Sequence, residues 1–319
     1  MKVSERQEDY LTSQEVADRA GVSLDTVKRL WRALGFPEVP DDQPFFDDHD
    51  VEAVNVLKEV IGTEAIDFDL SVNLARGMGQ TMARLSDWEI SALLHHVERR
   101  AAADDETRDP AGLVSEAVRA AEDVSKPFEQ LLVYAWRRHV RAALARLEAT
   151  TAGADELGTT QLTIGFADIV SFTALSNTLT EEKIGDLVEL FESRCADVVA
   201  VQRGRIIKSL GDSVLFVNDD PIAAYDTAEG IINVIGRDPR MPDVRVGLAS
   251  GSVVTRLGDV FGPPVNMAAR LTAVARRNRI IIDDATAGLL PADQFETRRL
   301  AARPVRGFGI VEPVAVRRL

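Results

Sequence analysis

Ile206-Ile207-Lys208-Ser209-Leu210-Gly211-Asp212-Ser213-Val214-Leu215-Phe216 sets two apolar, β-prone runs on either side of a Gly-Asp step, the local pattern of a tight hairpin. In a purely structural hairpin the aspartate serves the turn, accepting hydrogen bonds from nearby backbone amides. Lys208 stands four residues before Asp212 on the incoming strand. Period-two alternation predicts both side chains on one face, so that a cation and a carboxylate share one site. The alternative is a turn aspartate beside a surface lysine, and other segments have to decide between them.

The surrounding segments read as mixed α/β. A strand is expected at 161–167, helices across 171–201, the hairpin at 204–217 and a helix at about 221–236. A second hairpin is expected at 244–257, a helix at 264–275, a short strand at 279–283 and smaller strands from Phe295 onward. Upstream, residues 151–160 lose periodicity and gain Gly and Thr, which marks a domain boundary. The expected division is therefore 1–150 and 151–319.

The front half shows helical spacing and no strand-like runs. Residues 11–34 read as two short helices, with Ala17, Gly21 and Val27 at the spacing of a helix-turn-helix and Lys28, Arg29 and Arg32 on the second helix. DNA recognition is one reading and a compact packing unit the other. The acidic stretch Asp41-Asp42-Gln43-Pro44-Phe45-Phe46-Asp47-Asp48-His49-Asp50 would repel phosphate and favours packing. Helices follow at 51–61 and about 66–96. In the latter, Leu70, Leu74, Met78, Met82 and Leu85 form a stripe expected to face a core, and Gly77 and Gly79 allow close helix approach. Residues 101–112 read as a junction, and a long amphipathic linker helix is expected at about 125–149, with Leu131, Leu132, Ala135, His139 and Ala142 near one face.

The 319 residues are enough for two cores, and 45% hydrophobic with 28% charged residues is ordinary globular composition. No apolar run approaches the roughly 20 residues that span a bilayer, and no signal-peptide pattern opens the chain. A lone cysteine, Cys195, excludes an internal disulfide, and a cytoplasmic location is expected. A net charge of −14 disfavours non-specific binding to nucleic acid or acidic membranes, so an anionic substrate needs local cations or metal.

Two further stretches bear chemistry. Gln161-Leu162-Thr163-Ile164-Gly165-Phe166 delivers Asp168 at a strand end, followed by a helix start, an arrangement suited to Mg²⁺ and a phosphate chain. An ordinary helix cap is the alternative reading of Asp168. In Gly258-Asp259-Val260-Phe261-Gly262-Pro263-Pro264-Val265-Asn266-Met267-Ala268-Ala269-Arg270-Leu271, Pro264 opens a helix on which Asn266 and Arg270 share a face. An amide beside a fixed cation can hold a sugar and a phosphate.

Together, Phe166-Ala167-Asp168-Ile169-Val170-Ser171-Phe172-Thr173, Lys208-Ser209-Leu210-Gly211-Asp212 and Gly258–Leu271 resemble the three signature blocks of class III nucleotidyl cyclases, in the family's order and spacing. The resemblance covers about residues 157–319 and implies a ferredoxin-like α/β catalytic domain behind an all-helical N-terminal domain, an α+β chain overall. It implies that Asp168 and Asp212, with the carbonyl of Ile169, hold two divalent cations, Mg²⁺ or Mn²⁺. Asn266 then orients the ribose and Arg270 steadies charge on the α-phosphate. Phe172 and Thr173 fall in the substrate-binding set. Lys208 and Asp259 match the base-selecting pair, and Arg306 lies near a family lysine that grips the terminal phosphates, with the charge kept. Family sites are shared between two subunits, so a homodimer with two equivalent sites is implied.

The implied reaction is attack of the ribose 3′-hydroxyl on the α-phosphorus of ATP, giving cyclic AMP and pyrophosphate. Two divalent ions about 4 Å apart would acidify the hydroxyl and neutralise the triphosphate, while Arg270 stabilises the charge that builds. Donor-only Lys208 and acceptor-only Asp259 complement the N1 and N6 edge of adenine, whereas guanine reverses the pattern. Guanylyl cyclase is one alternative, and a non-catalytic, nucleotide-sensing DNA-binding regulator is another. Leu30–Pro37 and Ala75–Leu85 resemble the helical regulatory domain found before cyclase domains in actinobacterial enzymes, some of them pH-responsive. Of the four histidines, His139 on the linker helix is the expected regulatory group, against the alternative of a packing residue. Neither a membrane nor nucleic acid is an expected partner.

Overall fold

The computed structural model describes residues 10–62, 65–103, 109–151, 159–256 and 258–319. They form two compact units, Met1–Ala142 and Ala143–Leu319. Of the boundary expected at 151–160, residues 152–158 lie outside the described residues, as do 104–108 of the expected junction.

The first unit is helical: α1 Ser13–Ala20, α2 Leu24–Leu34, α3 Asp48–Gly62, α4 Phe68–Ala103 and α5, which begins at Pro110 and ends at Thr151 beyond the division. Thr12 caps α1 through a reciprocal capping box with Glu15, and Gly21 ends it in the left-handed conformation at φ 63°. Trp31 of α2 stacks on Phe46 with centroids 4.0 Å apart, so the acidic stretch is pinned to the core formed by Val16, Ala17, Val27 and Val54.

Three expectations change here. The long helix starts at Pro110, not near residue 125, and continues through Pro127. The stripe on α4 is not core: Leu70, Leu74 and Met78 are exposed, and Ser71, Val72, Ala75 and Gly79 are the buried face. The contact there is governed by small residues. A Cβ on Gly79 would lie 2.2 Å from the carbonyl oxygen of Leu34, whereas one on Gly77 would meet open space.

The second unit holds β1 Thr159–Ile169, α6 Phe172–Ser176, α7 Glu181–Val201, β2 Arg205–Ser209, β3 Ser213–Asn218, α8 Pro221–Gly236, β4 Val244–Arg256, β5 Asp259–Phe261, α9 Pro263–Val274, β6 Ile280–Ile282, α10 Asp284–Leu289, β7 Phe295–Arg299, β8 Arg303–Val305, β9 Gly309–Val311 and β10 Val314–Arg318. An eight-stranded sheet runs β2-β3-β1-β4-β6-β10-β7, with β5 paired to β4. The β2-β3-β1-β4 portion is antiparallel and has the split β-α-β order of a ferredoxin-like fold. Helices cover both faces. Phe191, Cys195 and Val199 of α7 pack with Ala228 and Ile231 of α8 on one face, and Ala268 and Leu271 of α9 pack with Ile164 and Leu215 on the other. That two-sided burial explains why β1 reads as a continuous apolar run.

The second hairpin differs from expectation. Residues 244–256 form one strand, and the reversal comes at Gly258, φ 77°, before β5. The helix α10 was not anticipated; it is six residues long and capped by Asp283.

Candidate active site

Strand β1 carries Asp168 next to its end, opposite Ser213 of β3 on one side and Arg245 of β4 on the other. Asp212 sits in the turn before β3, made possible by Gly211 at φ 73°. The amide of Ile169 donates to the carbonyl of Asp212 at 2.9 Å, which ties the two carboxylate-bearing residues together through the backbone. Asp168 does not cap a helix. The short α6 starts after Ser171, a left-handed N-cap without a side-chain bond, so the helix-cap reading of Asp168 falls.

Arg245 is the residue sequence reasoning missed. Its Nε and Nη2 lie 2.7 and 2.6 Å from Oδ2 of Asp168, and its Nη1 donates to the carbonyl of Ala273, in the last turn of α9, at 3.2 Å. The signal was present as a lone charge in the apolar run Val244-Arg245-Val246-Gly247-Leu248. Burial pushes the Asp168 carboxyl above its usual range; the Arg245 hydrogen bond and charge oppose this, and the charge of Asp212 adds to it.

Lys208 does not share a site with Asp212. A register shift between Ile206 and Lys208 interrupts the alternation, and Lys208 Nζ instead meets Asp259 Oδ2 at 2.5 Å. Burial works upward on the Asp259 carboxyl, but hydrogen bonds from Lys208 and from the Val260 amide outweigh it and hold the group below its usual range.

The opening of α9 presents Asn266 and Arg270 to a cleft of about 490 Å³ that Arg306, Gly307, Phe308, Gly262 and Pro263 also line. The lining contains neither Asp168 nor Asp212, so within one chain the amide–guanidinium group and the carboxylate pair occupy different places. Helix α9 is held against the sheet at Gly247, where a Cβ would lie 2.4 Å from the Thr272 amide nitrogen. Thr272 Oγ1 also donates to the carbonyl of Phe166 at 3.2 Å. Phe172 packs its ring against the core on the α7–α8 side, and the Thr173 carbonyl accepts from Ser176 at 3.1 Å. His139 is exposed on α5.

Oxygen donors from Asp168 and Asp212 suit a hard divalent cation. No group of three or more His, Cys, Asp or Glu side chains able to hold a metal occurs among the described residues. A cation held here therefore needs backbone or substrate oxygens to complete its shell.

In the first unit, Lys28 pairs with Asp41 at 2.6 Å, Arg29 with Asp69 at 2.9 Å and Arg32 with Glu38 at 3.6 Å. All three cations of the second helix are thus neutralised by acids of the same unit.

A family model described as the adenylate and guanylate cyclase catalytic domain matches residues 156–316, and one described as the adenylate cyclase regulatory domain matches residues 1–133. An adenylate cyclase of Glutamicibacter nicotianae is 35% identical over 316 residues, covering 94% of this chain and 77% of its own. One of Streptomyces coelicolor is 35% identical over 331 residues, covering 95% and 84%. A pH-sensitive adenylate cyclase of Mycobacterium tuberculosis is 30% identical over 317 residues, covering 97% and 78%.

Proposed function

The chain belongs to the adenylate and guanylate cyclase family and is an adenylate cyclase with a regulatory domain, and we propose that two copies of it form the sites that turn ATP into cyclic AMP and pyrophosphate. The observation that carries the choice of ATP is the meeting of Lys208 and Asp259, two groups 51 residues apart whose donor and acceptor match adenine and mismatch guanine.

Asp168 and Asp212 hold the divalent cations in this reading, with the carbonyl of Ile169, and the cations are Mg²⁺ or Mn²⁺. When bound, two such ions would lower the pKa of the ribose 3′-hydroxyl and neutralise the triphosphate. Asn266 orients the ribose, Arg270 takes up charge on the α-phosphate, and Arg306, on the wall of the same cleft, holds the terminal phosphates. Phe172 fixes the turn after β1 by packing, which places the backbone around Thr173 beside the phosphates.

The homodimer is supported by the separation of the carboxylate pair from the Asn266–Arg270 cleft within one chain. It is also supported by Leu131, Leu132, Trp136 and Leu144, apolar side chains that α5 leaves exposed and that a second copy would cover. We assign any response between about pH 5 and 8 to His139, whose imidazole titrates in that range and is open to solvent. Nucleic acid is not proposed as a partner, because Lys28, Arg29 and Arg32 already face carboxylates. No helix among the described residues is long and apolar enough to cross a membrane, and a cytoplasmic site of action is part of the proposal.

Purified full-length protein with ATP and Mn²⁺ tests the reading directly. Cyclic AMP from ATP, with little cyclic GMP from GTP, is expected; no cyclic nucleotide, with a salt-sensitive shift of DNA, would replace the enzyme by a DNA-binding regulator. His139→Gln is expected to alter the activity profile over about pH 5 to 8, and an unchanged profile removes His139 from the regulation.

A further inference from the structure

Arg245 stands against one oxygen of a carboxylate assigned to metal. Its contacts at 2.7 and 2.6 Å both fall on Oδ2 of Asp168, so Oδ1 is the oxygen left for a cation. The guanidinium keeps its proton at any working pH, so its charge is fixed. Its third nitrogen is anchored on the Ala273 carbonyl at the end of α9, which holds it in place across the β1–β4 pairing. Asp168 and Arg245 are both largely withdrawn from water, with 17% and 28% of their side-chain surface exposed, so the pair is only partly screened.

From this we infer that Arg245 is a resident counter-charge on the Asp168 carboxylate, so that the bare protein takes up divalent metal weakly and metal enters together with the nucleotide's phosphates. The inference rests on the assignment of Asp168 and Asp212 to metal. Two carboxylates carry two negative charges, one already matched by Arg245, and the described residues supply no third carboxylate. The charge missing from the protein is what a triphosphate brings. Arg245 is thus a positioning residue: it fixes which oxygen of Asp168 is offered and opposes a cation that arrives alone.

The experiment is a titration of Mn²⁺ into the full chain, with free Mn²⁺ followed by electron paramagnetic resonance, without nucleotide and with 3′-deoxy-ATP, which lacks the attacking hydroxyl. Removing one unit charge this close to the cation is expected to tighten bare Mn²⁺ binding by Arg245→Gln about tenfold. Arg245→Lys, which keeps the charge, should stay near wild type. With 3′-deoxy-ATP present the difference should close to within about threefold, because phosphate charge then dominates. Thermal melting checks that the variants fold. Arg245→Gln binding bare Mn²⁺ no more tightly than wild type would overturn the inference. If Arg245→Gln does not fold, the wild type decides: equal protein-bound Mn²⁺ affinity with and without 3′-deoxy-ATP overturns it, and a large gain with the nucleotide upholds it. Asp168→Asn separates the two ideas. If that variant still binds Mn²⁺ and 3′-deoxy-ATP as wild type does, the metal assignment itself fails; if it loses them while Arg245→Gln shows no tightening, only the role of Arg245 fails.

Discussion

Lys208 Nζ lies 2.5 Å from Asp259 Oδ2, a contact between β2 and β5 that closes over 51 residues of chain. The pair is partly exposed, at 37% and 27% of side-chain surface, so its worth to stability is small. Its value lies in what it offers a base: donors only from one partner and acceptors only from the other.

Replacing both residues removes that code. For Lys208→Ala with Asp259→Ala, the ratio of kcat/KM for ATP to that for GTP should fall by about 5- to 150-fold, the equivalent of one mismatched buried polar contact of about 1–3 kcal/mol. Mn²⁺ binding in the presence of nucleotide should change little. A preserved ratio would take base selection away from this pair.

Asp212→Asn and Asp168→Asn should each reduce kcat by about a thousandfold or more, since metal stabilisation of developing charge is worth several kcal/mol. Stability should behave differently at Asp168. Its carboxyl titrates above the usual range in the fold, chiefly because burial penalises the charged form. A raised pKa contributes stability that is full below the unfolded value and lost as pH rises through the folded one. Asparagine lacks this dependence. The Tm of Asp168→Asn minus that of wild type, measured without metal, should therefore grow as pH rises from the acid side through the carboxylate range. A flat difference would mean that the fold does not perturb Asp168.

Much of the catalytic half was legible because its signals are local and redundant. Pro221 after the cap residue Asp220 opens α8 where the sequence places it, and the two-sided apolar run of β1 admits no other element. The α4 stripe misled because hydrophobic periodicity weighs large side chains, while the α2–α4 contact selects small ones that let backbones approach. Arg245 was invisible for a different cause. Its meaning depends on the β1–β4 register, which sets it opposite Asp168, 77 residues away, and no local pattern encodes that.

The α2–α4 contact gives a paired test in the first unit. Gly79→Ala puts a methyl group within 2.2 Å of the Leu34 backbone and should destabilise the protein by about 1–3 kcal/mol through forced separation of the helices. Gly77→Ala on the same helix meets open space and should stabilise by about 0.5–1 kcal/mol through helix propensity. Thermal denaturation of the full chain reads both. Equal effects would show that α4 does not lie on α2 at Gly79.

Cys195 is fully buried in α7, and burial pushes its thiol up to about 12. The native protein should therefore resist a thiol-reactive dye at pH 8, and labelling should track unfolding in denaturant. Rapid labelling of the folded protein would place α7 away from the sheet.

The separation of the carboxylate pair from the cleft of Asn266, Arg270 and Arg306 yields the sharpest test of a shared site. Asp168→Asn leaves a chain with an intact cleft, and Arg270→Ala leaves a chain with intact carboxylates. Each variant alone forms dimers in which every site lacks one component. In a mixed two-fold dimer one site collects both defects and the other collects none. If subunits pair at random after co-expression, half the dimers are mixed and each has one working site, so activity should return to about a quarter of wild type. Differently tagged variants, purified by both tags in succession, raise the expectation to about half, since every dimer is then mixed. Activity no greater than the sum of the separate variants would mean that each chain builds its site alone, and that the cleft and the carboxylates come together by a movement within one subunit.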